Sequence, residues 1–198
     1  MKKLEKVGFF DLILRCHKVI LLSLCMCGSV LLIKGQQKII PIDAFAEKSS
    51  GTQMRALASR TSEQSLSDEQ IAAFRNLYYN VQPARYYNAE GTRDAANGSY
   101  PSVLFVNPNA FSRLQADANQ ESNNDFSTVR LIVIDGEIGA GLPSFFTEKF
   151  LELEFLVFKS KPGEGTMNVS STSTLISKAF WETHPNVVVV FNNLETGN

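Results

Sequence analysis

Val129 to Ser160 reads VRLIVIDGEIGAGLPSFFTEKFLELEFLVFKS, and its reading decides the fold. Val129, Leu131 and Val133 alternate with Arg130, Ile132 and Ile134, the two-residue period of a strand. Asp135-Gly136 ends the alternation, and Gly139 and Gly141 keep the chain turning. Pro143 fixes φ where a helical turn can begin. Phe145, Phe146, Phe150 and Leu153 then put apolar groups on one side of that turn. A second strand follows over Leu153 to Phe158. The stretch is therefore strand, glycine-rich turn, short helix, strand.

Working outward, the spacing recurs. Leu104, Val106, Asn109 and Phe111 are placed like Leu131, Val133, Gly136 and Ile138. Val187, Val189, Asn192 and Leu194 repeat the placement, and Leu156 with Phe158 begins it. Periods in this range mark stacked units, each unable to bury its own apolar side alone. On these residues the chain resembles the secreted leucine-rich repeat proteins, whose repeat is LxxLxLxxNxLxGxIP. LIVIDGEIGAGLPSFF is the nearest match, with Leu142-Pro143 at the Ile-Pro pair and Gly136 at the central Asn. The terminal VVVFNNLETG places Asn192 and Leu194 in the pattern, with Gly197 one residue late. Leu66 to about Ala96 is similar to the helical segment that precedes such repeats.

The resemblance implies an α/β fold: a short leucine-rich repeat solenoid with parallel strands and an N-terminal helical cap. It divides the chain into a signal peptide or membrane anchor (1–35), a linker (36–65), the cap (66–100) and the repeats (101–198). It also implies a concave strand face that meets a partner. The residues on that face are Phe105, Arg130, Ile132, Ile134, Asp135, Phe155, Val157, Lys159, Val188 and Val190. A row this apolar, if exposed, marks an interaction surface. The competing reading is an ordinary small α/β domain, its near-continuous apolar strands buried on both faces of a parallel sheet.

Composition fits either reading. The 198 residues are 44% hydrophobic and 20% charged, with a net charge of −1, so a packed core is expected. The expected folded part has no basic stripe, which argues against a nucleic-acid partner. Lys2, Lys3, Lys6, Arg15 and Lys18 precede an apolar run, Val19 to Ile33. That run suits a signal-peptide core and is short for a spanning helix. A secreted or cell-surface location follows, with membrane contact only through an uncleaved N-terminus. Leu24 and Met26 stand before Cys25 and Cys27, where a lipoprotein signal needs small residues. Cys16, Cys25 and Cys27 all lie in or beside this segment, so the exported part has no disulfide framework and no thiol nucleophile.

Further along, Lys38 to about Ser65 is polar and reads as linker. Leu66 to Tyr79 is the clearest helix: Ser67 caps it, Gln70 completes a capping box, and Ile71, Phe74, Leu77 and Tyr78 share a face. Tyr86, Tyr87 and Tyr100 form an aromatic stretch that either plugs an open core or stacks on sugar rings. Gln115 to Ser127 and Lys159 to Thr174 read as polar loops. Asn97-Gly98-Ser99 and Asn168-Val169-Ser170 fit the glycosylation pattern.

Catalytic signals are few. His184 is the lone histidine of the exported part, without the partners of a nucleophile triad, and reads as a turn residue. Asp135 and Glu137 form a carboxylate pair that a hydrolase could use across a glycosidic bond. Gly136 to Gly141 lies between strand and helix but lacks both the GxGxxG order and a Gly-Lys-Ser/Thr end. The sequence thus points to a non-catalytic recognition module for a protein or glycan, with no cofactor and no metal. Two alternatives stay open. One is an exported α/β hydrolase using Asp135 and Glu137; the other is a truncated structural fragment. An uncapped C-terminal end would favour self-association.

Overall fold

The computed structural model describes residues 37–45, 66–95, 100–120, 124–160 and 166–193, all within one compact unit, Gly35–Asn198. The signal segment, most of the linker and the Asn97 sequon lie outside the described residues. The apolar runs become strands: β1 (Lys38–Pro41), β2 (Ala84–Tyr87), β3 (Thr92–Asp94), β4 (Val103–Val106), β5 (Leu131–Asp135), β6 (Phe155–Ser160) and β7 (Val188–Asn193). Between them lie α1 (Asp68–Tyr79), α2 (Phe111–Ala118), α3 (Phe145–Lys149), α4 (Val169–Thr174) and α5 (Lys178–Thr183). None of the described helices is long and apolar enough to cross a membrane. The protein is mixed α/β, with one mostly parallel sheet ordered β1-β7-β6-β5-β4-β2-β3. Only the β2–β3 hairpin is antiparallel.

The strand period sorts side chains onto two faces. Leu104, Ile132, Leu156 and Val189 form one cross-strand row. That row packs under Leu114 of α2, Phe145 and Phe146 of α3, and Phe180 and Trp181 of α5. Val103, Leu131, Phe155 and Val188 form the neighbouring row on the opposite face, under Phe45 and under Phe74 and Leu77 of α1. The connections after β4, β5 and β6 run on the first face. The connection from β1 to β2 runs the other way across the sheet, over the second face. Reversing both direction and face keeps the same hand, the single hand that parallel crossovers favour.

This arrangement corrects several expectations. The four strands behind the repeat reading, β4 to β7, do lie parallel in chain order. Their assumed repeat frame is out of register, however. Leu104 pairs across to Ile132, not Leu131, and Leu156 to Val189, not Val187. A shift of one residue moves a side chain to the other face, so Leu104 and Leu131 point to opposite sides. A leucine-rich repeat solenoid is not shown; helices cover both faces, as in a doubly wound sheet. Residues 38–45, read as linker, form β1 and a 3-10 turn, Ile42–Phe45. The cap region 66–100 supplies β2 and β3 to the same sheet. The loop at Gln115–Ser127 begins inside α2 and ends in a 3-10 turn, Asn124–Thr128. The loop at Lys159–Thr174 begins in β6 and ends as α4. The α1 capping box forms as read: Ser67 Oγ accepts from the Gln70 amide and Gln70 Oε1 from the Ser67 amide, both at 3.2 Å.

His184 is buried at the end of α5 against the Phe180 ring, with Nε2 3.2 Å from the Thr147 carbonyl oxygen. Burial is the main cause that lowers its pKa below the ordinary 6.5. The unfolded chain therefore binds more protons than the folded one between pH 6.5 and the lower folded value, and stability falls as pH falls through that window. Urea midpoints should drop from pH 7.5 to pH 5.5 by more in the native protein than in His184→Gln.

Candidate functional site at the carboxyl edge of the sheet

In β4 to β7 the first polar residue after each apolar run falls in one row. Val106 pairs with Ile134, so Asn107 follows beside Asp135; Asp135 pairs with Lys159, and Lys159 with Asn192. The row lies on the α1 face, because the residue before each member (Val106, Ile134, Phe158, Phe191) packs on the opposite one. In open α/β sheets ligands settle outside the carboxyl ends of the strands, where neighbouring connections leave toward opposite faces. Here the chain leaves β1 toward the α1 face and β6 toward the other, with β7 between them.

Asn107 is committed to structure. Its Oδ1 accepts the Asn109 amide at 3.0 Å and its Nδ2 donates to the Asp135 carbonyl oxygen at 3.3 Å, which ties the end of β4 to β5. Asp135 and Lys159 are different. Lys159 Nζ stands 3.9 Å from Asp135 Oδ2, with side chains 24% and 48% exposed respectively. That is well beyond the roughly 2.7–2.9 Å of a hydrogen-bonded ion pair. Among the described residues neither charged group has a hydrogen-bond partner at closer range. The Asn192 side chain stands by the phenol of Tyr78, the penultimate residue of α1, and favours its ionised form. Burial is the main cause that raises the Tyr78 pKa, and the Asp135 charge adds to it. A carboxylate, an ammonium, an amide and a phenol thus converge where α1 ends over the strand tips.

The glycine loop after β5 is fastened, not open. The Gly136 amide donates to the Lys159 carbonyl oxygen at 3.1 Å, with φ +128° at Gly136. The Leu142 amide donates to the Leu175 carbonyl oxygen at 2.7 Å. Gly141 has φ +80°, and a Cβ there would stand 3.1 Å from that same carbonyl oxygen. No phosphate cradle is built: α3 has five residues, and Ser144 makes no side-chain cap. Gly141→Ala should cost about 1–3 kcal/mol of stability, because positive φ and the close carbonyl act together. Gly139→Ala, with nothing within 4 Å, is the matched control for the urea midpoint and should move it little.

The residues expected on a partner-facing row divide in four. Ile132 and Ile134 are buried in the core of one face; Phe155, Val157, Val188 and Val190 are buried in the core of the other. They form no exposed row, because both faces are covered. Arg130 lies at the opposite end of β5, in a two-point pair with Glu154: Nε to Oε1 at 2.7 Å and an amino nitrogen to Oε2 at 2.8 Å. Phe105 is half-buried under Tyr86. The structure brings Asp135 and Lys159 together. Glu137 is exposed in the loop beyond Gly136. Asn192 and Tyr78 join the site unanticipated, although the first polar residue after VVVVF was a usable signal for Asn192. Among the described residues no group of three or more His, Cys, Asp and Glu is placed to hold a metal ion. Comparison with family models, curated proteins and solved structures yields no match.

Proposed function

We propose that the domain is a non-catalytic recognition module, acting outside the cytoplasm, that binds a protein or glycan at the carboxyl edge of its sheet. One observation carries this reading: Asp135 and Lys159 lie side by side, partly exposed, and among the described residues neither charged group has a hydrogen-bond partner. Partly exposed charges exchange their water for a ligand that supplies donors to the one and acceptors to the other. The proposal keeps the binding role that the leucine-rich repeat resemblance implies and moves it from a concave strand face to the strand tips. Export rests on the N-terminal basic and apolar run. The hydrolase alternative uses Asp135 with the exposed Glu137.

Lys159→Met and Asp135→Asn should each weaken ligand binding at least tenfold. Neither should shift the urea midpoint appreciably, since a partly exposed pair of this length contributes well under ~1 kcal/mol. The experiment is a screen of arrayed glycans and purified surface proteins, followed by amide chemical-shift mapping of each hit. Shifts centred on Asp135, Lys159 and Asn192 support the proposal. Hits that leave these amides unmoved overturn the site, and release of new reducing ends from a bound glycan overturns the non-catalytic role.

A further inference from the structure

We infer, building on that reading, that the ligand is a short linear oligosaccharide lying across the α1 face from the tip of α1 to Tyr86. The seven strands span about 29 Å, whereas one helix is about 10–12 Å wide. Among the described residues this face carries α1 and the 3-10 turn Ile42–Phe45. Where its cover ends, Tyr86 on β2 stacks on Phe105 of β4, ring centroids 4.7 Å apart and planes within 7°. Tyr86 is 37% exposed. Tyr86 and Phe105 occupy the row just below the polar one, on the same face: Phe105 pairs with Val133, two residues before Asp135. At the other end Tyr79, 59% exposed, packs edge-on against Tyr78 at 5.0 Å. Tyr78 in turn stands by Asn192.

The surface is therefore aromatic at each end and polar between. From β2 to β7 is four strand steps, about 19 Å, the length of a short linear oligosaccharide. The chemistry fits the same class. A carboxylate only accepts and an ammonium only donates, whereas a sugar hydroxyl does both and satisfies each. One charge of each sign leaves no net field to hold a polyanion, and Asp135 repels phosphate, which disfavours nucleotides. Flat tyrosine faces offer the apolar, polarisable platform on which the C–H faces of sugar rings settle.

The test titrates cellotetraose, chitotetraose and maltotetraose, and their disaccharides, into the isotopically labelled protein, with affinities from calorimetry. At least one tetrasaccharide should bind, at least tenfold more tightly than its disaccharide, and shift the amides of Tyr86, Asp135 and Lys159 together. Tyr86→Ala and Lys159→Met should each cost at least tenfold, and Tyr86→Phe, which keeps the ring, should bind as the native protein does. If Lys159→Met weakens binding but Tyr86→Ala does not, the strand-tip site stands and the extended glycan is overturned. If no oligosaccharide binds while free amino acids or nucleotides shift Asp135 and Lys159, the glycan class is overturned and the site stands. If no probe shifts those amides, both fall.

Discussion

Ile132→Glu should leave no folded protein at room temperature. Ile132 has no solvent exposure and sits in the middle of the central strand β5, within the core beneath α2, α3 and α5. A glutamate there either buries an unpaired charge or takes up a proton and buries a carboxyl group without partners, and it also gives up the transfer energy of the isoleucine. Each term is several kcal/mol, against a total stability of about 5–15 kcal/mol for an ordinary domain. Val157→Glu should do the same from the opposite face, where Val157 is equally sealed. Circular dichroism and urea unfolding check both. Had these residues lined an open concave face, both variants would fold normally and lose only partner binding. A cooperative transition with a native midpoint in either variant would therefore contradict the two-faced burial.

The second large effect is expected at Phe74. Its ring is completely buried and meets four others: Phe45 at 4.0 Å, Tyr78 at 5.2 Å, Phe155 at 5.3 Å and Tyr79 at 6.4 Å. It fastens α1 to the sheet, because Phe45 follows β1 and Phe155 opens β6. Phe74→Ala removes the transfer energy of the ring and leaves a cavity that the rigid strands below cannot close, so it should cost about 3–5 kcal/mol. The loss should appear in the urea midpoint. Because α1 carries Tyr78 to Asn192, the same variant should broaden or shift the amide signals of Asn192 even where the fold survives. A cost below about 1 kcal/mol, within the range of ordinary surface substitutions, would mean that α1 is not docked as described.

Local structure was the most legible part of the sequence. The Ser67–Gln70 capping box declared α1, and the apolar runs declared β4 to β7, because caps and strand periods act within a few residues. Register was not legible. Leu104, Leu131 and Leu156 repeat by type, yet only the partner strand decides which face a residue takes, and Leu131 takes the other one. β1 was hidden for a related reason. Lys38 to Pro41 is short and half polar, and it becomes a strand only because Val188 to Phe191 offers it a ladder. Of the site, Asp135 and Lys159 were readable as the charges that stop apolar runs. Tyr78 was not, since its helical spacing marks it as core and only the docking of α1 brings its phenol to Asn192.

The pairing of β1 with β7 also bears on how the molecule comes into being. Lys38 to Pro41 leaves the ribosome long before its partner, Val188 to Phe191, is made. The intervening strands can assemble among themselves as they appear, whereas β1, at the edge, waits until β7 is made. Closing so long a loop is entropically slow, and contacts this distant in sequence govern folding rate more than final stability. Completion of the sheet thus waits for Val188 to Phe191, and a chain cut short before residue 188 leaves β1 with no ladder to join.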